Sequence, residues 1–149
     1  MKNLAVIPAR GGSKRIPRKN IKLFKNKPMI AWSIEAAFNS NCFDEVLVST
    51  DDEEIAKIAK DYGANVPFIR PKELADDFAT TQQVIEHSIN WLSTKNISYD
   101  NVCCIYATAP LIQIKDLKDS LLLLEQSIDD VYVFVVTSFP FPIFRSFFI

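Results

Sequence analysis

A chain of 149 residues, 48% hydrophobic and 23% charged, has the composition of one ordinary globular domain and not of a disordered or fibrous protein. Its formal net charge of −1 conceals a segregation: residues 1–34 hold nine Lys/Arg and no Asp or Glu, which leaves eight basic against eighteen acidic residues in the remainder. An acidic body with one short basic segment would repel duplex nucleic acid, and it points to a small anion as the partner.

Residues 3–7 read as a buried strand, 29–38 as a helix and 45–50 as a second strand. Asp51 and Asp52 stand where N-cap and first-turn acids belong, ahead of Ile55, Ile58 and Ala59 at helical spacing, and Gly63 supplies a left-handed stop. A short extended piece at 66–69 precedes a helix over 80–93 that presents Val84, Ile85, Ile89 and Leu92 to the core. The remaining elements are a strand at 101–106, a helix at 117–124 beginning near Asp116, and a β-branched and aromatic strand at 131–137. This alternation predicts an α/β fold in a single domain over 1–149, with a mostly parallel sheet covered on both faces and ligands bound beyond the carboxyl ends of its strands.

Three cysteines (Cys42, Cys103 and Cys104), two of them adjacent in an apolar run, suit neither a disulfide framework nor a metal site and are expected as buried thiols. The apolar stretch at the N-terminus is too short for a signal peptide or membrane span, so a cytoplasmic location without membrane contact is expected. His87, the one histidine, lies mid-helix among apolar neighbours and reads as structural. The run from Asp51 to Glu54 reads as a helix start favoured by the macrodipole, with no metal assigned to it.

Glycine is scarce, with three in the chain, yet Gly11 and Gly12 are adjacent immediately after the first strand, inside IPARGGSKRIPRKN at residues 7–20. Glycines let backbone N–H groups converge on an anion, Ser13 adds a hydroxyl donor, and Arg10, Lys14, Arg15 and Lys19 can neutralise phosphate charge. Neither G-x-x-x-x-G-K-[ST] nor G-x-G-x-x-G is present. The plain alternative is a solvated basic loop with a glycine turn.

The run from Ala9 to Asn20 resembles the A-R-G-G-S-K-x-x-x-x-K-N signature of the cytidylyltransferases that make CMP-activated nonulosonic acids. Further similar blocks follow at Ser49 to Asp52, Pro67 to Pro71 and Glu73 to Asp77, then Thr80 and Thr81. The resemblance implies a Rossmann-like nucleotide-diphospho-sugar transferase fold and transfer of CMP from CTP to a nonulosonic acid. It implies that loop 8–20, with Arg10, Gly11, Gly12, Ser13, Lys14, Lys19 and Asn20, holds the nucleotide, and that Arg10, Lys14 and Lys19 stabilise charge during transfer. Arg70, Thr80 and Thr81 would line the nucleoside pocket; their structural alternatives are a salt bridge of Arg70 with Glu73 or Asp77 and a helix N-cap for the threonines.

The segment Tyr106-Ala107-Thr108-Ala109-Pro110-Leu111 stands where sialic acid synthetases carry Q-P-T-S-P-L-R. With Tyr106, Ala109 and Ile112 replacing Gln, Ser and Arg, the block is most similar to the pseudaminic acid cytidylyltransferases, and Tyr106 and Thr108 become candidate sugar contacts. The family implies Mg²⁺ bound by a late aspartate pair, but no acidic residue follows Asp130, so that site is expected to be incomplete. Six Phe in residues 134–149 add to the expectation of a C-terminally truncated chain that binds better than it turns over and tends to self-associate. The alternatives are a compact relative whose Phe-rich end at 138–149 packs on a partner subunit, as in a homodimer, and a catalytically inactive nucleotide- or anion-binding module.

Overall fold

The computed structural model describes residues 1–129 and 131–136. The first apolar run forms β1 (Asn3–Pro8), in which Leu4, Ala5, Val6 and Ile7 are wholly excluded from solvent. A basic loop and a single 3₁₀ turn (Lys19–Ile21) lead to a small hairpin, β2 (Leu23–Phe24) and β3 (Lys27–Pro28). Then come α1 (Met29–Ser40), β4 (Glu45–Ser49), α2 (Glu53–Asp61), α3 (Thr81–Ser93), β5 (Asn101–Cys104) and α4 (Ile114–Glu125).

β1 is the middle of a three-stranded parallel sheet of order β4-β1-β5, with Val6 opposite Leu47 on one side and Cys104 on the other. The period-2 alternation of the strands separates two layers. Ala5, Ile7, Val46 and Val48 face α1, α2 and α4 through Ile30, Ile34, Ile55 and Leu117, whereas Leu4, Val6 and Leu47 face α3 through Leu92, Ile85 and Trp91. The extended piece at 66–69 joins the sheet only through parallel bridges, Leu47 with Asn65 and Thr50 with Ile69.

Local chemistry sets the helix ends. Asp52 caps α2 by accepting from the Ile55 amide at 3.0 Å, and Gly63 leaves that helix at φ 89°. Thr80 and Gln83 form a reciprocal capping box at the start of α3. The stretch between β1 and α1 contains the hairpin because Lys25 and Asn26 both adopt left-handed φ (48° and 61°), matching a tight two-residue turn.

Three expectations are corrected. The segment 131–136 is not a strand: Tyr132 is 96% exposed and Phe134 and Val136 are also exposed, because β-branched composition makes a strand only where a ladder partner and a covered face exist. Ile89 is exposed on α3 instead of entering the core. Of the thiols only Cys42 is buried; Cys104 is exposed on the edge strand β5, while burial pushes the half-buried Cys103 thiol up to about 11. Residue 137 and the Phe-rich end at 138–149 lie outside the described residues. Among the described residues no helix is long and apolar enough to cross a membrane.

Candidate functional site

The chain leaves β1 for β4 on one side and later returns to pair β5 on the other, so the strand order reverses beside β1. Crevices at such reversals, outside the carboxyl ends of parallel strands, are where open α/β sheets bind ligands. A cavity of about 540 Å³ lies there, lined by Arg10, Ser13, Lys14, Lys19 and Asn20 from the loop after β1, Arg70 and Thr81 from the approach to α3, and Tyr106 and Thr108 beyond β5. Arg15 and Asp77 also line it; Gly11, Gly12 and Thr80 do not.

The loop is held from behind by carboxylates. Asp51 Oδ1 accepts from the Gly11 amide at 2.9 Å, and Asp52 pairs with Arg18, whose Nη2 lies 3.0 Å from Asp52 Oδ1 while the same guanidinium reaches Glu54. The Arg18 guanidinium holds the Asp52 carboxyl below the usual carboxylate range, and Asp52 raises Arg18 in return. Gly11 is needed for this approach, since a Cβ there would lie 2.6 Å from Asp52 Oδ2. Gly12 meets nothing within 4 Å, so the second glycine has no such steric reason. Asn20, itself buried, donates from Nδ2 to the Arg10 carbonyl at 2.8 Å and closes the base of the loop.

The basic segment therefore divides its labour. Arg18 and Lys27 are used structurally, on Asp52 and Glu35 respectively, while Arg10, Lys14, Arg15 and Lys19 face the cavity. A fifth cation, Arg70, comes from the acidic part of the chain. Its side chain is buried, its Nη2 lies 3.7 Å from Asp51 Oδ1, and both Nε and Nη2 lack hydrogen-bond partners. Neither Glu73 nor Asp77 pairs with it, contrary to the salt-bridge alternative. Burial lowers the Arg70 pKa from its ordinary value, with Asp51 working against that shift.

Thr81 Oγ1 lies 3.5 Å from the Tyr106 hydroxyl, bringing the start of α3 and the segment after β5 together at the cavity wall. Thr80 faces away as the N-cap. Thr80→Ala should cost about 1 kcal/mol of stability with nucleotide affinity kept within roughly twofold, and Thr81→Ala should do the reverse, as thermal melts and calorimetric titrations of the two variants can establish. His87 does not line the cavity; it packs edge-on against Phe68 at 4.8 Å, and burial followed by the Arg70 charge lowers its pKa, in keeping with a structural role.

A hard divalent ion takes about six oxygen ligands, usually including one or two carboxylates. The described lining offers one carboxylate, Asp77, which is engaged by Arg10 and Lys14, and Asp51 is committed to Gly11 and Arg70. The described residues do not fit a Mg²⁺ site. Sequence reasoning missed Asp51, Asp52 and Asp77 as site-building residues; the signal available was the acids within the Ser49 to Asp52 and Glu73 to Asp77 blocks, read there only as helix start and family pattern.

The family model for Cytidylyltransferase matches residues 4–139. A pseudaminic acid cytidylyltransferase of Campylobacter jejuni subsp. jejuni serotype O:2 is 51% identical over 149 residues, all of this chain and 64% of that protein. A CMP-N,N'-diacetyllegionaminic acid synthase of Legionella pneumophila subsp. pneumophila is 45% identical over 113 residues, 74% of this chain and 47% of that protein. Among solved structures, CMP:2-keto-3-deoxy-manno-octonic acid synthetase complexed with CTP superposes with a TM-score of 0.68 at 26% identity, over 84% of this chain and 48% of that one. The chain thus spans about two thirds or less of the length of these relatives, and with the family model covering nearly all of it and the loop and parallel sheet in place, it belongs to the cytidylyltransferase family.

Proposed function

We propose that the cavity binds CTP and that the protein transfers CMP from it to the anomeric hydroxyl of a nonulosonic acid, with pseudaminic acid as the acceptor. The observation that carries the nucleotide reading is the convergence of five cationic side chains on one cavity, one of them the buried Arg70 with unpartnered donors. The acceptor assignment is supported by the 51% identical relative and by Tyr106 in the cavity lining, where a hydroxyl and an aromatic face suit a sugar with few hydroxyls.

In the reaction the sugar oxygen attacks the α-phosphorus in line. The O–P bond forms as the bond to the β-phosphate oxygen breaks, pyrophosphate leaves with that electron pair, and the hydroxyl proton goes to solvent. No covalent intermediate with the protein is needed, so its residues act by positioning and by stabilising charge. Arg10, Lys14 and Lys19 meet the negative charge that builds on the phosphate oxygens. Ser13 and Asn20 orient the triphosphate, Arg70 and Thr81 take acceptor groups of the nucleoside, and Thr108 with Tyr106 borders the sugar.

Calorimetric titration with CTP, ATP and inorganic tripolyphosphate tests the nucleotide reading. CTP should bind at least tenfold tighter than the other two, and equal affinities would reduce the site to a bare anion trap. Arg10→Ala should weaken CTP by about 1.5 kcal/mol, the lower end for a charge-assisted contact, because the Arg10 side chain is 36% exposed. Pyrophosphate release with a panel of nonulosonic acids then tests the acceptor. The second reading, a nucleotide-binding module without turnover, is favoured by the single, already neutralised carboxylate among the described lining residues; it predicts selective CTP binding and no pyrophosphate with any acceptor.

A further inference from the structure

Among the described residues the cavity lining contains one acidic side chain, Asp77, among five cations, and it is engaged by two of them. Asp77 Oδ1 lies 2.8 Å from Arg10 Nη2, and Asp77 Oδ2 pairs with Lys14 Nζ. The same Arg10 also donates from Nη1 to the Asp76 carbonyl at 2.7 Å, so its guanidinium is clasped by two consecutive residues. The segment carrying them is self-braced: Asp76 Oδ1 accepts from the Phe78 and Ala79 amides at 2.9 and 2.7 Å, just ahead of the α3 cap. Two oxygens of one carboxylate bridging two cations reproduce the way adjacent phosphate oxygens would engage them. Lys14 and Arg10 accordingly hold the Asp77 carboxyl below its ordinary range.

We propose that Asp77 is an internal stand-in for phosphate, which keeps Arg10 and Lys14 in place while the site is empty and must be displaced by an incoming polyphosphate. A tethered competitor raises the apparent dissociation constant of every ligand that uses both cations by the same factor, one plus its closing constant. Two partly exposed ion pairs give a small closing constant, which puts that factor at about three to ten. A triphosphate carries enough charge to displace the carboxylate. A nucleotide left with a single phosphate charge does not hold both cations, so Asp77 recloses on them as pyrophosphate departs. The identity of the natural ligand rests on the nucleotide reading above, but the clasp itself does not.

The test is calorimetry at fixed ionic strength with inorganic tripolyphosphate and with CTP on the unsubstituted chain, Asp77→Asn and Asp77→Glu. Asp77→Asn should bind both ligands three- to tenfold tighter by the same factor, and Asp77→Glu should restore near-parental affinity. Weaker or unchanged binding in Asp77→Asn overturns the proposal, since a carboxylate that merely positions Arg10 would weaken binding when removed. In the unsubstituted chain the Asp77 carboxyl ¹³C resonance should move on addition of tripolyphosphate, and a constant resonance at saturation overturns it equally. Because tripolyphosphate has no base, failure of CTP selectivity leaves this result readable.

Discussion

Arg70→Met is expected to stabilise the empty protein while removing most of its nucleotide affinity. The Arg70 side chain is buried, yet Nε and Nη2 have no hydrogen-bond partner and the nearest carboxylate oxygen, on Asp51, is 3.7 Å away, beyond hydrogen-bonding range. A buried charge so poorly compensated opposes folding, and replacing buried ionic groups by apolar ones of similar volume stabilises by about 1–4 kcal/mol in favourable cases. Asp51 is not orphaned by the change, because it keeps the Gly11 amide and is partly exposed. Arg70 lines the cavity, and a ligand oxygen accepting from its guanidinium would make desolvated charge-assisted bonds, so their loss should weaken CTP binding by about 3 kcal/mol, roughly a hundredfold. Chemical denaturation of the ligand-free variant and calorimetry with CTP give the two numbers. A destabilised variant that binds CTP as tightly as the parent would show that Arg70 is a structural cation, satisfied by Asp51 alone.

The frame of this site is legible in the sequence because its signals are local. The apolar run at Leu4 to Ile7 and the helix caps at Asp52 and Thr80 act within a few residues of themselves and stand where their patterns place them, whereas Gly11 answers to Asp51 and Asp52, some 40 residues on. What is not legible is the pairing across distance. Asp51 and Asp52 reach a loop some 40 residues earlier, and Asp77 meets Arg10 from 67 residues away; no periodicity records such contacts. The β2–β3 hairpin escaped for a different reason. Its strands are two residues long and its turn is Lys25-Asn26, without the glycine that usually marks one. The 131–136 segment shows the converse failure, since strand-like composition there finds no ladder among the described residues.

The same substitution should be costly at Gly11 and tolerated at Gly12. In Gly11→Ala the new Cβ would stand 2.6 Å from Asp52 Oδ2, closer than packed carbon and oxygen tolerate. A flexible carboxylate would turn aside cheaply, but this one is fixed by three bonds: it accepts from the Ile55 amide as the α2 cap and takes two contacts from Arg18. Relief must come from moving the cap, the Arg18 clamp or the loop itself, and the Gly11 amide bond to Asp51 goes with the loop. Overpacking of this kind costs about 1–3 kcal/mol, and displacement of Arg10, one residue away, should lower CTP affinity at least tenfold. Gly12→Ala meets nothing within 4 Å and neither glycine holds a left-handed φ, so stability should change by no more than about 0.5 kcal/mol. Denaturant midpoints and CTP titrations of both variants decide the matter. Equal tolerance at the two positions would mean that Asp52 does not hold the loop, and equal loss would mean that Gly12 serves the ligand directly through its backbone.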